Sequence, residues 1–416
     1  MVQRPTGSYR VGRSRVLASR LLCALAFAAC SSGGSPPLPA LPLPSDSAPS
    51  EAMPRSAVIA LLVPLTAPGE ASVIGKSLKQ AAELALFERD NPNVQLVVKD
   101  DRGTPDGARA AAEEAIKNGA KLILGPLFAK SVAAVAPVAR QANVAVVAFS
   151  NDRRVASNGV YLLGFQVEPE VARVVGYVAQ RGMRRFAALI ADDALGKIAG
   201  ANFRQEVARV GGTIVALQTY PPTANGVLEP MRAISTQIRS AQEGGAAIDA
   251  LFVPGGQENL EIIGRLLPQA EIETDKVKLI GTGGMDYPNA GRDAMLVGAW
   301  YPGPDPRGWN EFAQSYAKSY AQSPPRIAGL AFDAVMLASV LAGGPEGPRF
   351  TPAELTRAAG FSGVDGAFRL LPNGTTERAL AILEVQQFGA GILDPPQSLG
   401  LAQPPASALS RAVNFD

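Results

Sequence analysis

Adjacent carboxylates are the residues of this chain best suited to chemistry. Asp100-Asp101 and Asp192-Asp193 each follow an apolar run, and paired acids at such a point bind cations or move protons. The same residues also cap a following helix or ring a cleft with charge. The chain has no histidine. Imidazole acid/base catalysis, a Ser-His-Asp triad and histidine metal ligation are therefore excluded. Its two cysteines, Cys23 and Cys30, both lie near the N-terminus, so the rest of the chain has no disulfide and no thiol nucleophile. No GxSxG elbow, metal-spaced cluster or cofactor fingerprint occurs. The expectation is a protein that is not an enzyme and uses no cofactor or metal.

Two glycine-rich stretches sit where ligands bind. Gly75-Lys76-Ser77 follows a strand and opens a helix, like a P-loop. Five residues separate Gly69 from Gly75, one more than a P-loop has, and the first of them is Glu70. A cleft-rim loop is the simpler reading. Gly281-Thr282-Gly283-Gly284 follows the strand ending at Ile280. It lacks the βαβ context of a dinucleotide site, and serves either close backbone approach to a ligand or a plain turn.

These residues need elements to position them. From Ser56 onward, buried strands alternate with helices. Val58 to Val63, Val94 to Lys99, Leu122 to Leu124 and Val144 to Val147 read as strands. Val73 to Arg89, Pro105 to Asn118 and the Ala/Val-rich run after Gly125-Pro126 read as helices. A second set starts after Val160 to Phe165. Its strands are Phe186 to Ile190, Thr213 to Thr219, Ala250 to Val253 and Val277 to Ile280. Helices are expected at Pro169 to Arg181 and Gly196 to Val210, then at 308–321 and 327–342. Leu296 to Tyr301 separates these last two from the sheet, and Gly363 to Val385 reads as a hairpin turning at Pro372-Asn373-Gly374. Such alternation predicts an α/β fold with parallel sheets flanked by helices. Ligands bind outside the carboxyl ends of such strands. That rule selects Gly125, Pro126, Leu127, Phe128, Ser150 and Asn151 in the first set. It selects Asp193, Ala194, Leu195, Gly255, Gln257, Gly283 and Asp286 in the second. The alternative is that they only pack one lobe against the other.

Residues 1–29 combine five arginines with the apolar stretch Val16 to Ala29, the pattern of a secretory signal. The stretch ends Leu25-Ala26-Phe27-Ala28-Ala29-Cys30, which resembles a bacterial lipobox with Cys30 as the lipidated residue. Ser31 after it resembles lipoproteins sent to the outer membrane. Residues 30–55 are rich in proline and serine and form no core; an extended tether of this length reaches up to ~75 Å. Lysine and arginine total 39 against 37 acids, but without the five leader arginines the balance is 34 against 37, or −3. A near-neutral body argues against nucleic-acid binding.

Lys121 to Asp152, with its two strand-end turns, resembles the first lobe of the type I, leucine-binding-protein-like periplasmic binding proteins. Ala328-Gly329-Leu330-Ala331-Phe332-Asp333-Ala334-Val335 matches that family's late helix. The nearest branch it resembles is the penicillin-binding-protein activator lipoproteins. The resemblance implies two lobes joined by several crossovers, with lobe 1 at 56–165 and 302–345 and lobe 2 at 166–301 and 346–388. The tail 389–416 is expected to be disordered. Amino-acid-binding relatives carry a Ser cluster after the lobe 1 glycine, a Tyr-Gly after the lobe 2 Asp, and an acid in the glycine-rich loop. Here those places hold Pro126-Leu127-Phe128-Ala129, Leu195-Gly196 and Gly283. Losing the acid leaves a ligand ammonium unpaired, so a free α-amino acid held in the usual way is not expected. The resemblance implies a lipid-anchored periplasmic protein that activates a penicillin-binding peptidoglycan synthase. The alternative is a substrate-binding protein delivering a small polar solute to an ABC permease.

Overall fold

The computed structural model describes residues 56–89, 92–223, 225–287, 289–345 and 347–399. The leader, Cys30, the tether and residues 400–416 lie outside the described residues.

The first α/β set comprises β1 (Ala57–Val63), α1 (Glu70–Arg89), β2 (Val94–Asp100), α2 (Pro105–Lys117), β3 (Leu122–Leu124), α3 (Ala129–Gln141), β4 (Ala145–Ala148) and β5 (Val160–Leu162). Its strands form a parallel sheet in the order β2-β1-β3-β4-β5. Both faces are buried, as alternate side chains of β1 show. Ile59, Leu61 and Val63 enter the core beneath α1, whereas Ala60 and Leu62 face α2 and α3.

The second set comprises α4 (Val167–Gln180), β6 (Arg185–Ala191), α5 (Ala194–Arg209), β7 (Thr213–Tyr220), α6 (Leu228–Glu243), β8 (Ala250–Phe252), α7 (Gln257–Leu266), β9 (Lys278–Ile280) and β10 (Trp300–Gly303). The chain then returns through α8 (Pro306–Tyr320), α9 (Ala328–Ala342), α10 (Pro352–Leu355), β11 (Phe361–Gly363), β12 (Gly366–Leu370), β13 (Thr376–Arg378), β14 (Ala381–Val385) and β15 (Ala390–Asp394). The second sheet runs β15-β14-β10-β9-β8-β6-β7, parallel from β10 to β7 and antiparallel at β14 and β15. Phe186, Ala188 and Ile190 of β6 face α4 and α5, while Ala187 and Leu189 face α6 and α7.

Apart from Asp333 and Ser339, helix α9 is apolar, and it is almost wholly buried, because it is packed between α1, the first sheet and β11. Each fully buried leucine there contributes roughly 1.5–3 kcal/mol over an exposed one. Tyr316 of α8 donates its hydroxyl to Gln80 Oε1 at 2.6 Å, tying the returning chain to α1.

The return path corrects three expectations. Residues 346–378 were expected in lobe 2, yet Leu355, Phe361, Val364, Phe368 and Leu370 pack into the lobe 1 core. Polar contacts hold them there: Gly374 accepts from Leu162 N at 2.8 Å, and Thr376 Oγ1 donates to Leu162 O at 2.5 Å. The hairpin does turn at Pro372-Asn373-Gly374, but only β12 and β13 pair across it. Its last strand, β14, leaves for the second sheet. The supposedly disordered tail supplies β15 as an edge strand, anchored where Arg173 Nη2 pairs with Asp394 at 2.5 Å. Among the described residues the chain thus crosses between the lobes three times, near residues 163–166, 303–306 and 379–380.

Candidate functional site

A cavity of about 660 Å³ lies between the lobes beside two of these crossovers. Lobe 1 contributes Asn151 to Arg154 and Arg326, and lobe 2 contributes the starts of α4 and α5, Gly255, Gly256, Thr282 to Gly284, Asp286 and the end of β10 at Pro302-Gly303; Phe165 and Pro304 belong to the crossovers. Two ion pairs span the lobes at this cavity. Arg153 Nη1 lies 3.4 Å from Glu168, and Arg326 Nε donates to Asp286 Oδ2 at 3.2 Å.

Arg326 is the hub of a larger network. Its Nη2 is 2.5 Å from Asp365, which is fully buried. Its guanidinium lies over the rings of Trp309 and Phe165, at 4.3 and 5.6 Å. Behind it, Asp333 Oδ1 accepts from Val364 N at 2.6 Å, and Arg378 Nη2 donates to Leu163 O at 2.9 Å. Burial, reinforced by the Asp365 charge, pushes the Asp333 carboxyl up to about 7. This charged cluster knits α9, the β11–β12 turn and the third crossover together.

Glu170 stands one turn into α4. Its Oε2 accepts from Gly283 N at 2.9 Å, and burial pushes its carboxyl up to about 7, with the Glu168 charge adding to the rise. A Cβ at position 283 would lie 2.8 Å from Glu170 Oε1. The glycine therefore makes room for a carboxylate from another element.

Among the residues selected from sequence, Asn151, Ala194, Leu195, Gly255, Gly283 and Asp286 line the cavity. Gly125, Pro126, Leu127, Phe128, Ser150, Asp193 and Gln257 are not part of its lining. The reasons are local. Gly125 N donates to Val147 O and Pro126 O accepts from Phe149 N, so this loop and Leu127 are packed into lobe 1. Phe128 starts α3 and is 37 % exposed, away from the cavity. Ser150 is buried and its Oγ accepts from Asp152 N. Asp193 Oδ1 caps α5 by accepting from Gly196 N at 2.7 Å. Gln257 Nε2 is bonded along α7 to Glu261.

Neither acid pair lines the cavity. Asp100 ties the β1–α1 loop to β2 by accepting from Leu65 N and Thr66 Oγ1, and Asp101 accepts from Gly103 N. Asp192 pairs with Lys197 at 3.0 Å. Ser77, the last residue of the P-loop-like triplet, is buried and donates to Val73 O. Glu170, Glu168, Arg153 and Arg326 were missed by sequence reasoning. Only the Gly283-Gly284 pair signalled a close approach, and nothing in the sequence named its partner.

A two-lobed α/β body with a cavity at its strand ends is a ligand-enclosing scaffold. The chain belongs to the periplasmic binding protein family, whose model matches residues 56–390. Membership implies a periplasmic location. Solved structures agree on the fold, that of the type I, leucine-binding-protein-like members. A protein described as a branched-chain amino acid ABC transporter from Rhodospirillum rubrum has a TM-score of 0.71 at 17 % identity, covering 81 % of this chain and 100 % of its own. A leucine binding protein from Thermotoga maritima has a TM-score of 0.58 at 18 % identity, covering 82 % and 99 %. A solute binding protein from Rhodopseudomonas palustris, in complex with 3,4-dihydroxybenzoic acid, has 0.60 at 19 %, covering 82 % and 98 %. No curated protein sequence matches the chain.

Proposed function

We propose that the protein is a solute receptor that encloses a small ligand between its lobes and presents it to an ABC permease, with no chemistry of its own. The observation carrying this reading is the interlobe cavity of about 660 Å³, which falls in the roughly 300–1,000 Å³ range of small-molecule sites. Its lining combines Gly255 and Gly256, where a ligand can approach the backbone closely, with apolar and charged side chains. The ABC transport proteins among the structural neighbours support the same reading. Thermal-shift screening of small solutes tests it: a true ligand raises the melting temperature, and Gly256→Trp, which fills the cavity, removes the shift. A shift that survives this substitution places the ligand elsewhere and defeats the reading.

Cys30 is the proposed lipid anchor and residues 31–55 the tether, holding the receptor at the outer membrane. Cys30→Ser is expected to move the protein from the membrane fraction to the soluble fraction. The anchor, the long tether and the Pro126-Leu127-Phe128-Ala129 departure from the amino-acid pattern support a second reading, docking on a penicillin-binding synthase to activate it. Crosslinked capture from native envelopes separates the two, by recovering either a permease or a synthase.

A further inference from the structure

Among the described residues, one carboxylate of the cavity wall has no counter-ion. Four carboxylates line it, Asp152, Glu168, Glu170 and Asp286, against three arginines, Arg153, Arg154 and Arg326, for a net of −1. Arg154 lies 2.7 Å from Asp152, Arg153 pairs with Glu168, and Arg326 is shared between Asp286 and Asp365. Among the described residues, no cation pairs with Glu170. Its one donor is the backbone N–H of Gly283. Arg378 shares a small crevice with Glu170, but it is engaged by Asp333 and by Leu163 O.

A desolvated carboxylate with a single neutral donor is costly to keep charged. Glu170 borders the cavity, so a cationic ligand there would relieve that cost. Beside Glu170 the wall turns apolar, with Phe165, Val167, Leu195, Ile198 and Pro302.

Resting on the receptor reading, we propose that Glu170 is the specificity-determining acid of the cleft, and that the ligand is a small organic cation, a protonated amine on an apolar body. The ammonium would sit against Glu170 and the body against the apolar wall. This alters the expectation drawn from Gly283. The glycine loop has no acid of its own, yet α4 delivers one to the same place. Because burial and the Glu168 charge hold Glu170 near neutrality, amine binding must compete with protons and strengthen as pH rises.

The test is calorimetric titration of the whole protein with probes that share a skeleton and differ in charge. One set is 3-methylbutylamine, 3-methylbutanol and 3-methylbutanoate; the other is 2-phenylethylamine, 2-phenylethanol and 3-phenylpropanoate. The amines are expected to bind tightest, with affinity falling about tenfold from about pH 8 to about pH 6 as Glu170 protonates. Glu170→Gln is expected to cost the amines at least about tenfold at the higher pH and to abolish the pH slope, while Glu170→Asp restores part of both. Melting curves establish that the variants fold. Amines that bind no tighter than their alcohols, or an unchanged slope in Glu170→Gln, overturn the proposal. Binding of the carboxylates, blocked by Gly256→Trp, overturns it while leaving the receptor reading intact. If no amine binds, the proposal fails, and a broad solute screen that is also blank removes the receptor reading with it.

Discussion

Replacing Glu170 with glutamine should stabilise the ligand-free protein, and only above a definite pH. The substitution keeps the shape and the oxygen that accepts from Gly283 N, but removes the charge. Glu170 moves from an ordinary 4.5 to about 7 on folding, chiefly through burial. At about 1.4 kcal/mol per unit, that displacement corresponds to a ceiling of about 3 kcal/mol. The side chain keeps part of its surface open to the cavity, which brings the expectation toward about 2 kcal/mol. The sign follows from proton binding. Between the two values the folded state holds a proton that the unfolded state has lost, so stability falls as pH rises through this window. Below it, wild type and Glu170→Gln should differ little; above it, the variant should be more stable by about 2 kcal/mol. Urea denaturation of both proteins across the range measures this directly. The comparison isolates Glu170, because Asp101 and Asp333, whose carboxyls burial also raises, are present in both. Parallel curves would refute the burial argument.

Arg326→Met should leave buried Asp365 and cavity-lining Asp286 without their cation and cost about 3–5 kcal/mol in urea denaturation. Adding Asp365→Asn should recover part of that loss, since the two residues act as a unit. Gly125 has φ +84°, and a Cβ there would collide with Leu62 O, so Gly125→Ala should cost more than about 1 kcal/mol and broaden or abolish cooperative melting. Asp193→Ala removes the α5 cap and should lower stability by about 1 kcal/mol. Solute affinity should hold in that variant, because Asp193 is not part of the cavity lining.

Sequence alone determined the layered α/β order. The continuous apolar runs within Ala57–Val63 and Arg185–Ala191 give strands that are buried on both faces, and Pro372-Asn373-Gly374 forces a turn wherever the flanking strands go. Helices α6 and α7 add to the expected elements, although Met231, Ile234 and Ile238, and Leu260 and Ile263, recur at helical spacing. Strand β15 escaped because Ala390-Gly391-Ile392-Leu393-Asp394 is too short and glycine-containing to show a period. Tertiary structure decided where the returning chain goes. Hairpin periodicity says which residues pair, not which sheet receives them, and the lobe 1 position of β11 to β13 depends on contacts with Leu162 and Leu163, about 200 residues earlier in the chain. It also decided the cleft. Six strand-end residues were legible because ligand loops follow parallel strands as a rule of topology. Glu170 was not, because its role arises from contact with Gly283 across a sequence separation of 113. A carboxylate's environment, unlike a strand's period, is set by what the fold places beside it.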